Sequence, residues 1–294
     1  MISNDVEMLS DVTICLITFN REDRIEATVK NIFKVLPVNV DVFVLDNGSK
    51  DSTVSILNGL SRAYSKLHVF FGQKNLGVSL GRAYLWRKAR TQFVLSVDDD
   101  VEFCASDLAS MVFHLRVNPH VAVVSPRIID SQTKTIINSQ PPCGKNLPTF
   151  YEACFLIRKS VIEAVGPFDH RLVYAGEGLD YALRLRRAGY EIIYDSSAVV
   201  VHYDRPRSAN ETYARRLDWL YSFCLVYWKN LKPMNAVYWS IRNMLAHAKS
   251  GGVEFGPTFL VKLPKYALSG AIAGVRIRKN MRLDKGLGQN HNKL

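Results

Sequence analysis

The chain of 294 residues has no paired-cysteine motif: Cys15, Cys104, Cys143, Cys154 and Cys224 are odd in number, scattered, and never in C-x-x-C spacing. That argues against a disulfide framework and a cysteine zinc site, and makes a reducing cytosol the expected compartment. No run approaches the roughly 20 apolar residues of a membrane span, and residues 1–11 are polar and acidic, without the apolar core of a secretory signal. Internal repeats and low-complexity tracts are absent too, which excludes a solenoid or a linker-like chain. Acidic residues are scarce in one region. Residues 1–204 hold 22 Lys+Arg against 23 Asp+Glu, whereas residues 205–294 hold 16 against 4 and so carry the whole formal excess of +11.

With 48% hydrophobic residues there is ample material for a core. A strand-then-helix rhythm runs through the first third. Strands are expected at 12–18, 42–45, 67–71 and 93–97, and helices at 21–35, 51–63 (with Ser49 or Asp51 as cap) and 78–89. Such alternation implies an α/β fold with a mostly parallel, doubly wound sheet and flanking helices. A helix at 105–117 and a strand at 121–125 follow. Residues 127–150, rich in Pro, Asn, Gln and Thr, read as a long loop or small hairpin of the kind that carries function. Order resumes at 152–157, with helices at 159–164 and 178–188 and strands at 191–194 and 198–202. Beyond 205 the pattern is helical, with Trp219, Leu220, Phe223, Tyr227 and Trp228 at helix-compatible spacing. The boundary divides a domain of residues 1–204 from a basic, aromatic-rich helical C-terminal extension, 205–294. The extension's aromatics suit helix packing, and its charge suits an anionic membrane surface better than nucleic acid.

Three consecutive carboxylates, Asp98, Asp99 and Asp100, follow directly on the apolar run 93–97. Adjacent like charges need a cation or donors to receive them, and ligands in open α/β sheets bind outside the carboxyl ends of strands. Hard oxygen ligands favour Mg²⁺ or Mn²⁺ over zinc. A solvated acidic turn capping the next helix is the bland alternative. Asp46 stands at another strand end, where it could take a pyrimidine imide or simply make an Asx-turn. Asn75-Leu76-Gly77 opens a helix carrying Arg82, which offers donors to an anion; alone, Arg82 reads as a surface residue. His202 closes the run 198–201, a position from which an imidazole could join Asp100 on Mn²⁺. Glu177 and Asp180 lie where a helix begins. One of them suits the helix dipole and the other a general base.

These motifs, in this order, resemble glycosyltransferase family 2, inverting nucleotide-sugar-dependent enzymes of the GT-A fold. They are Thr18-Phe19-Asn20-Arg21, Leu45-Asp46-Asn47-Gly48-Ser49, Asn75-Leu76-Gly77 with Arg82, the Asp98–Asp100 triplet in the manner of a DXD motif, Gly166-Pro167-Phe168-Asp169, the run from Asp180 to Tyr190, and His202. The resemblance covers residues 12–204, and Tyr238-Trp239-Ser240-Ile241-Arg242-Asn243 looks like the C-terminal helix of rhamnosyltransferase-like members. It implies that Thr18, Asn20, Arg21, Asp46, Asn75, Gly77 and Arg82 hold the nucleotide, that Asp98 contacts ribose or sugar, and that Asp99 belongs to the same set with a more structural part. Asp100 would bind a Mn²⁺ or Mg²⁺ bridging the diphosphate, with His202 as a further metal-site residue. One position departs from the pattern. Family members often carry Glu-Asp or Asp-Asp at the start of the acceptor-site helix, and here the second acid is Gly178, which leaves Glu177 as the expected base and Asp180 as its rival. The expected activity is transfer of a hexosyl or deoxyhexosyl unit from a UDP- or dTDP-linked donor to a glycan, lipid-linked or small-molecule acceptor in glycan or polysaccharide synthesis, in the cytoplasm or at the inner membrane face. The rival expectation is a nucleotide-sugar-binding protein impaired at Gly178. A nucleotidyltransferase is disfavoured because no Gly-rich, Arg- and Lys-containing loop follows strand 12–18.

Overall fold

The computed structural model describes residues 9–36, 39–138, 147–172, 175–203 and 208–290, with side chains to residue 281. The chain forms two compact units, Met1–Val173 with Tyr181–Arg205, and Tyr174–Asp180 with Pro206–Leu294.

The first unit is a mixed sheet of eight strands: β1 (Val12–Thr18), β2 (Asp41–Asp46), β3 (Leu67–Phe71), β4 (Phe93–Asp98), β5 (Val101–Glu102), β6 (Val121–Asp130), β7 (Cys154–Arg158) and β8 (Glu191–His202), in the order β3-β2-β1-β4-β7-β6-β8-β5. One half is parallel: β1 pairs with β2 and β4, and β2 with β3. Strand β1 is buried along its whole length, as its unalternating apolar sequence requires of a strand covered on both faces. Strand β7 then runs antiparallel to β4 and β6, so the doubly wound rhythm stops where the helix-strand alternation of the sequence stops.

Helices α1 (Ile25–Val35), α2 (Thr53–Ala63), α3 (Val78–Lys88), α4 (Ala105–Val117), α5 (Lys159–Val165) and α6 (Glu177–Arg187) flank the sheet strands in sequence. Two cores line its faces, one around Ile14, Leu16, Val44 and Leu95, the other around Trp86, Phe155, Phe168 and Tyr181.

Several boundaries differ from expectation for physical reasons. Helix α1 starts at Ile25 rather than 21, because residues 21–24 form a turn on the Arg21 carbonyl and Arg24, at φ −133°, leaves the helical backbone conformation. Ser49 does not cap α2. Its hydroxyl instead accepts from the N–H of Asn20 at 2.8 Å, and Asp51 Oδ1 accepts from Thr53 N–H at 3.1 Å. The two strands expected at 191–194 and 198–202 are one strand, β8, with its register shifted opposite Pro126 and Arg127. Within 127–150, β6 runs on to Asp130 and turns back in a tight hairpin closed by the Ile129–Ile136 bridge, and residues 139–146 lie outside the described set.

The second unit contains α7 (Ala209–Asn230), α8 (Pro233–Phe255) and α9 (Pro257–Asn290). Helix α7 opens on a capping box, with Ser208 Oγ accepting from Glu211 N–H and Glu211 Oε2 accepting from Ser208 N–H. Its core joins Leu217, Leu220 and Cys224 to Phe259 and Leu263. Helix α9 can approach α7 closely because Gly270 and Gly274, four apart, present bare backbone. A Cβ on Gly270 would run into the Tyr221 carbonyl oxygen and one on Gly274 into that of Leu225. No helix among the described residues is long and apolar enough to cross a membrane. Because backbone cannot give way as a side-chain tip can, Gly270→Leu is expected to lower stability by about 1–3 kcal/mol, read as a reduced urea midpoint with unchanged slope.

Candidate active site

The sheet register assembles the site. Thr18 is the partner of Asp46 and Ile17 is the partner of Asp98, so β1, β2 and β4 end in one row at the carboxyl edge. Hydrogen bonds between side chains and backbone then join the loops beyond. Asn20, in the left-handed region at φ 51°, accepts from Lys50 N–H through Oδ1 at 2.9 Å. Asn47 donates from Nδ2 to Asn75 Oδ1 at 2.9 Å and accepts from Leu76 N–H at 3.0 Å, while Asn75 Oδ1 also takes Gly77 N–H at 2.8 Å. Asp46 is 1% exposed, and its carboxylate receives the N–H groups of Gly48 (3.3 Å) and Ser49 (3.1 Å), an Asx-turn that fixes the loop. Gly48 has φ +85°, and a Cβ there would lie 2.8 Å from the Lys74 backbone, so the β2 and β3 loops touch where only glycine fits.

Every carboxylate of the triplet has a cation. Asp98 Oδ1 takes the Arg82 Nη2 hydrogen at 2.6 Å, and the same nitrogen donates to the Glu152 carbonyl at 2.7 Å. Arg82, which alone reads as a surface residue, is 1% exposed. Its Nε and Nη1 find no hydrogen-bond acceptor among the described residues, and its guanidinium carbon lies 5.7 Å and 5.8 Å from the centres of the Phe155 and Phe168 rings. Arg21 bridges the other two carboxylates, Nε to Asp99 Oδ1 at 3.0 Å and Nη2 to Asp100 Oδ2 at 3.1 Å. Burial pushes the Asp99 carboxyl up to about 7 against the pull of Arg21. Asp100 is also raised by burial, but His202 and Arg21 outweigh that and hold it below the usual carboxylate range.

His202 reaches Asp100 because β5 pairs antiparallel with β8, and its Nε2 stands 3.4 Å from Asp100 Oδ1. That oxygen is buried and faces the imidazole. Two cis ligands at about 2.1 Å from a small divalent ion stand about 3 Å apart, so an ionised oxygen and an imidazole nitrogen at this separation fit one cation. Among the described residues no group of three or more His, Cys, Asp or Glu could hold a metal unaided, so the remaining ligands would have to come from substrate and water.

In the second unit, Glu177 and Asp180 open α6, and Gly178 lies between them. Asp180 is fully buried, and its Oδ1 accepts from Lys229 Nζ at 2.6 Å and from Asn230 Nδ2 at 2.7 Å. Glu177 is buried as well, at 6% exposure.

Some participants carry no signal in the local sequence. Lys229 lies 49 residues from its partner. Arg24 stacks at 3.7 Å over Tyr203 while pairing with Glu102, and Tyr151 packs edge-on against His202. The pairing of β5 with β8 brings Glu102 and Tyr203 near one another, and the other contacts come from elements distant in sequence.

The chain belongs to glycosyl transferase family 2, whose sequence model matches residues 13–166, a little over half of it. A curated relative, the poly-beta-1,6-N-acetyl-D-glucosamine synthase of Staphylococcus aureus (strain MSSA476), is 24% identical over 210 residues, 66% of this chain and 50% of that protein. The chain thus spans half the length of that relative. Among solved structures, the mannosyltransferase PcManGT from Pyrobaculum calidifontis, in complex with GDP-Man and Mn²⁺, aligns with a TM-score of 0.60 at 16% identity, covering 90% of this chain and 87% of that one. S. aureus TarS 1–349 in complex with UDP-GlcNAc aligns at 0.61 and 15% identity, covering 93% and 92%. At such identities the likeness establishes the shared GT-A-type fold.

Removing one member of the Asp180–Lys229 pair strands the other charge in the interior. Lys229→Met is expected to cost about 3–5 kcal/mol in urea unfolding, and the double variant Lys229→Met/Asp180→Leu to recover most of it.

Proposed function

We propose that the chain transfers a sugar from a nucleoside diphosphate sugar to an acceptor hydroxyl with inversion, residues 1–204 forming the catalytic domain and 205–294 a helical extension. The observation that carries this reading is the buried Asp100 carboxylate, with one oxygen on Arg21 and the other 3.4 Å from His202 Nε2. Asp100 and His202 would hold Mn²⁺ or Mg²⁺, which when bound supplies charge stabilisation to the departing diphosphate. The Mn²⁺ and nucleotide sugars in the structural neighbours support the same assignment.

The chain's own groups divide the remaining work. Thr18, Asn20, Arg21, Asp46, Asn75, Gly77 and Arg82 bind or shape the nucleotide pocket, and Asp98, oriented by Arg82, takes hydroxyls of ribose or sugar. Asp99 holds Arg21. Glu177 removes the acceptor proton, and Asp180, already committed to Lys229, positions the start of its helix. The donor is UDP- or dTDP-linked and carries a hexose or deoxyhexose. The acceptor is a glycan, lipid-linked or small molecule of polysaccharide or glycoconjugate synthesis. The four described cysteines are free, which favours a reducing compartment.

A second reading, a binder without turnover, is favoured by Gly178 alone. Thermal shift with a panel of UDP-, dTDP- and GDP-sugars, with and without Mn²⁺, together with diphosphate release in the presence of acceptors, separates the two. Glu177→Gln is expected to lower turnover by about 10²–10⁴-fold while leaving the donor-induced shift in place, and Asp100→Ala to abolish the Mn²⁺-dependent part of that shift. Unchanged turnover in Glu177→Gln would remove it as the base, and donor binding without nucleoside diphosphate release from any acceptor mixture would favour the impaired binder.

A further inference from the structure

We infer that the second unit docks on an anionic lipid bilayer through one face of α8. Met234, Val237, Tyr238, Ile241 and Leu245 are exposed by 85%, 43%, 58%, 49% and 60%. Their spacing of three, four, seven and eleven residues from Met234 places them in one stripe along a helix of about 3.6 residues per turn. Helix α8 packs along the adjoining face, where Ala236 and Gly251 are buried and Met244 and Ala248 lie against the core around Leu220 and Phe259. The five side chains of the stripe stand outside that packing, in contact with solvent. A contiguous apolar face of this kind in contact with water marks an interaction surface.

The charges bordering it identify the occupant. Helical geometry puts Arg242 and Lys249 along one edge of the stripe. Helix α9 repeats the arrangement, with Val261, Leu268, Ile272 and Val275 exposed on one face and Lys265 and Arg276 beside them. Among the described side chains of the two helices the one carboxylate is Glu254, and it is paired with Arg216 at 2.8 Å. A second copy docking by the same face would set Arg242 and Lys249 against their own counterparts. Nucleic acid would satisfy the cations but leave the aliphatic stripe in water. A bilayer with anionic headgroups satisfies both, taking the stripe at the acyl boundary and the cations at the phosphates. Such docking would hold the unit at the surface without a spanning helix.

The test is co-sedimentation of the full chain with vesicles of equal parts phosphatidylcholine and phosphatidylglycerol, against vesicles of phosphatidylcholine alone, at low and high salt. It needs neither donor nor metal, so its failure leaves the transferase reading standing, and the reverse also holds. The chain is expected to pellet with the anionic vesicles at low salt and to be released as salt rises. Ile241→Glu/Leu245→Glu, at exposed positions, is expected to abolish pelleting while leaving the melting temperature unchanged. Arg242→Gln/Lys249→Gln is expected to weaken binding by about fivefold for each charge removed. The inference is overturned if the unmodified chain stays in the supernatant with anionic vesicles, if both double variants pellet as it does, or if sedimentation velocity shows a dimer that Ile241→Glu/Leu245→Glu dissociates while vesicles bind nothing.

Discussion

Charge neutralisation at the end of β4 is the constraint on which the first unit depends. Three adjacent carboxylates at a largely buried strand end would repel one another strongly unless each met a positive group within contact distance. Arg82 meets Asp98, and Arg21 meets both Asp99 and Asp100. Because Arg21 comes from the loop after β1 and Arg82 from α3, satisfying the triplet fixes both segments against β4. The same logic extends outward. Arg82 also takes the Glu152 carbonyl, and His202 brings the end of β8 to Asp100.

An Arg-Asp pair that served only to hold the fold would be a costly choice, since apolar replacements of similar volume are often as stable. The distribution of partners distinguishes the members of this cluster. Asp99 is held by Arg21 at 3.0 Å with its carboxyl raised by burial, the condition of a buried anchor. Asp100 has its carboxyl held below the usual range by His202 and Arg21, with one oxygen toward Arg21 and the other 3.4 Å from the imidazole of His202. Adjacent residues of one type are thus given different work by the backbone, which turns one carboxylate toward Arg21 and the other toward β8.

Much of this was legible in the sequence, and the reason is local. The apolar runs of β1 and β4 are short and unalternating, so their burial and parallel pairing follow from composition, and the polar residues that end them fall at the carboxyl edge by counting. The asparagine contacts were not legible in the same way. Asn47, Asn75 and Asn20 are ordinary loop residues until the register of β1, β2 and β3 places their loops side by side. Taken alone, Arg82 passes for a surface residue, because a helical arginine is exposed in most contexts and nothing within a few residues of it announces a carboxylate sixteen positions on. The Asp180–Lys229 pair lies further still beyond a local reading.

Gly178 gains a different weight once Asp180 is located. That carboxylate already accepts from an ammonium and an amide on one oxygen, at zero exposure, which commits it to holding the start of α6. Of the two acids at the start of α6, Glu177 is therefore the one proposed for proton transfer, and it stands one position before the usual acid. On a helix one residue turns a side chain by about 100°, so a base moved from 178 to 177 projects in another direction. Because the acceptor hydroxyl must lie within hydrogen-bond reach of the base, that shift selects an acceptor pose different from the one a residue at 178 would serve. Under the proposed mechanism Gly178 is then a determinant of acceptor geometry as well as an absent acid.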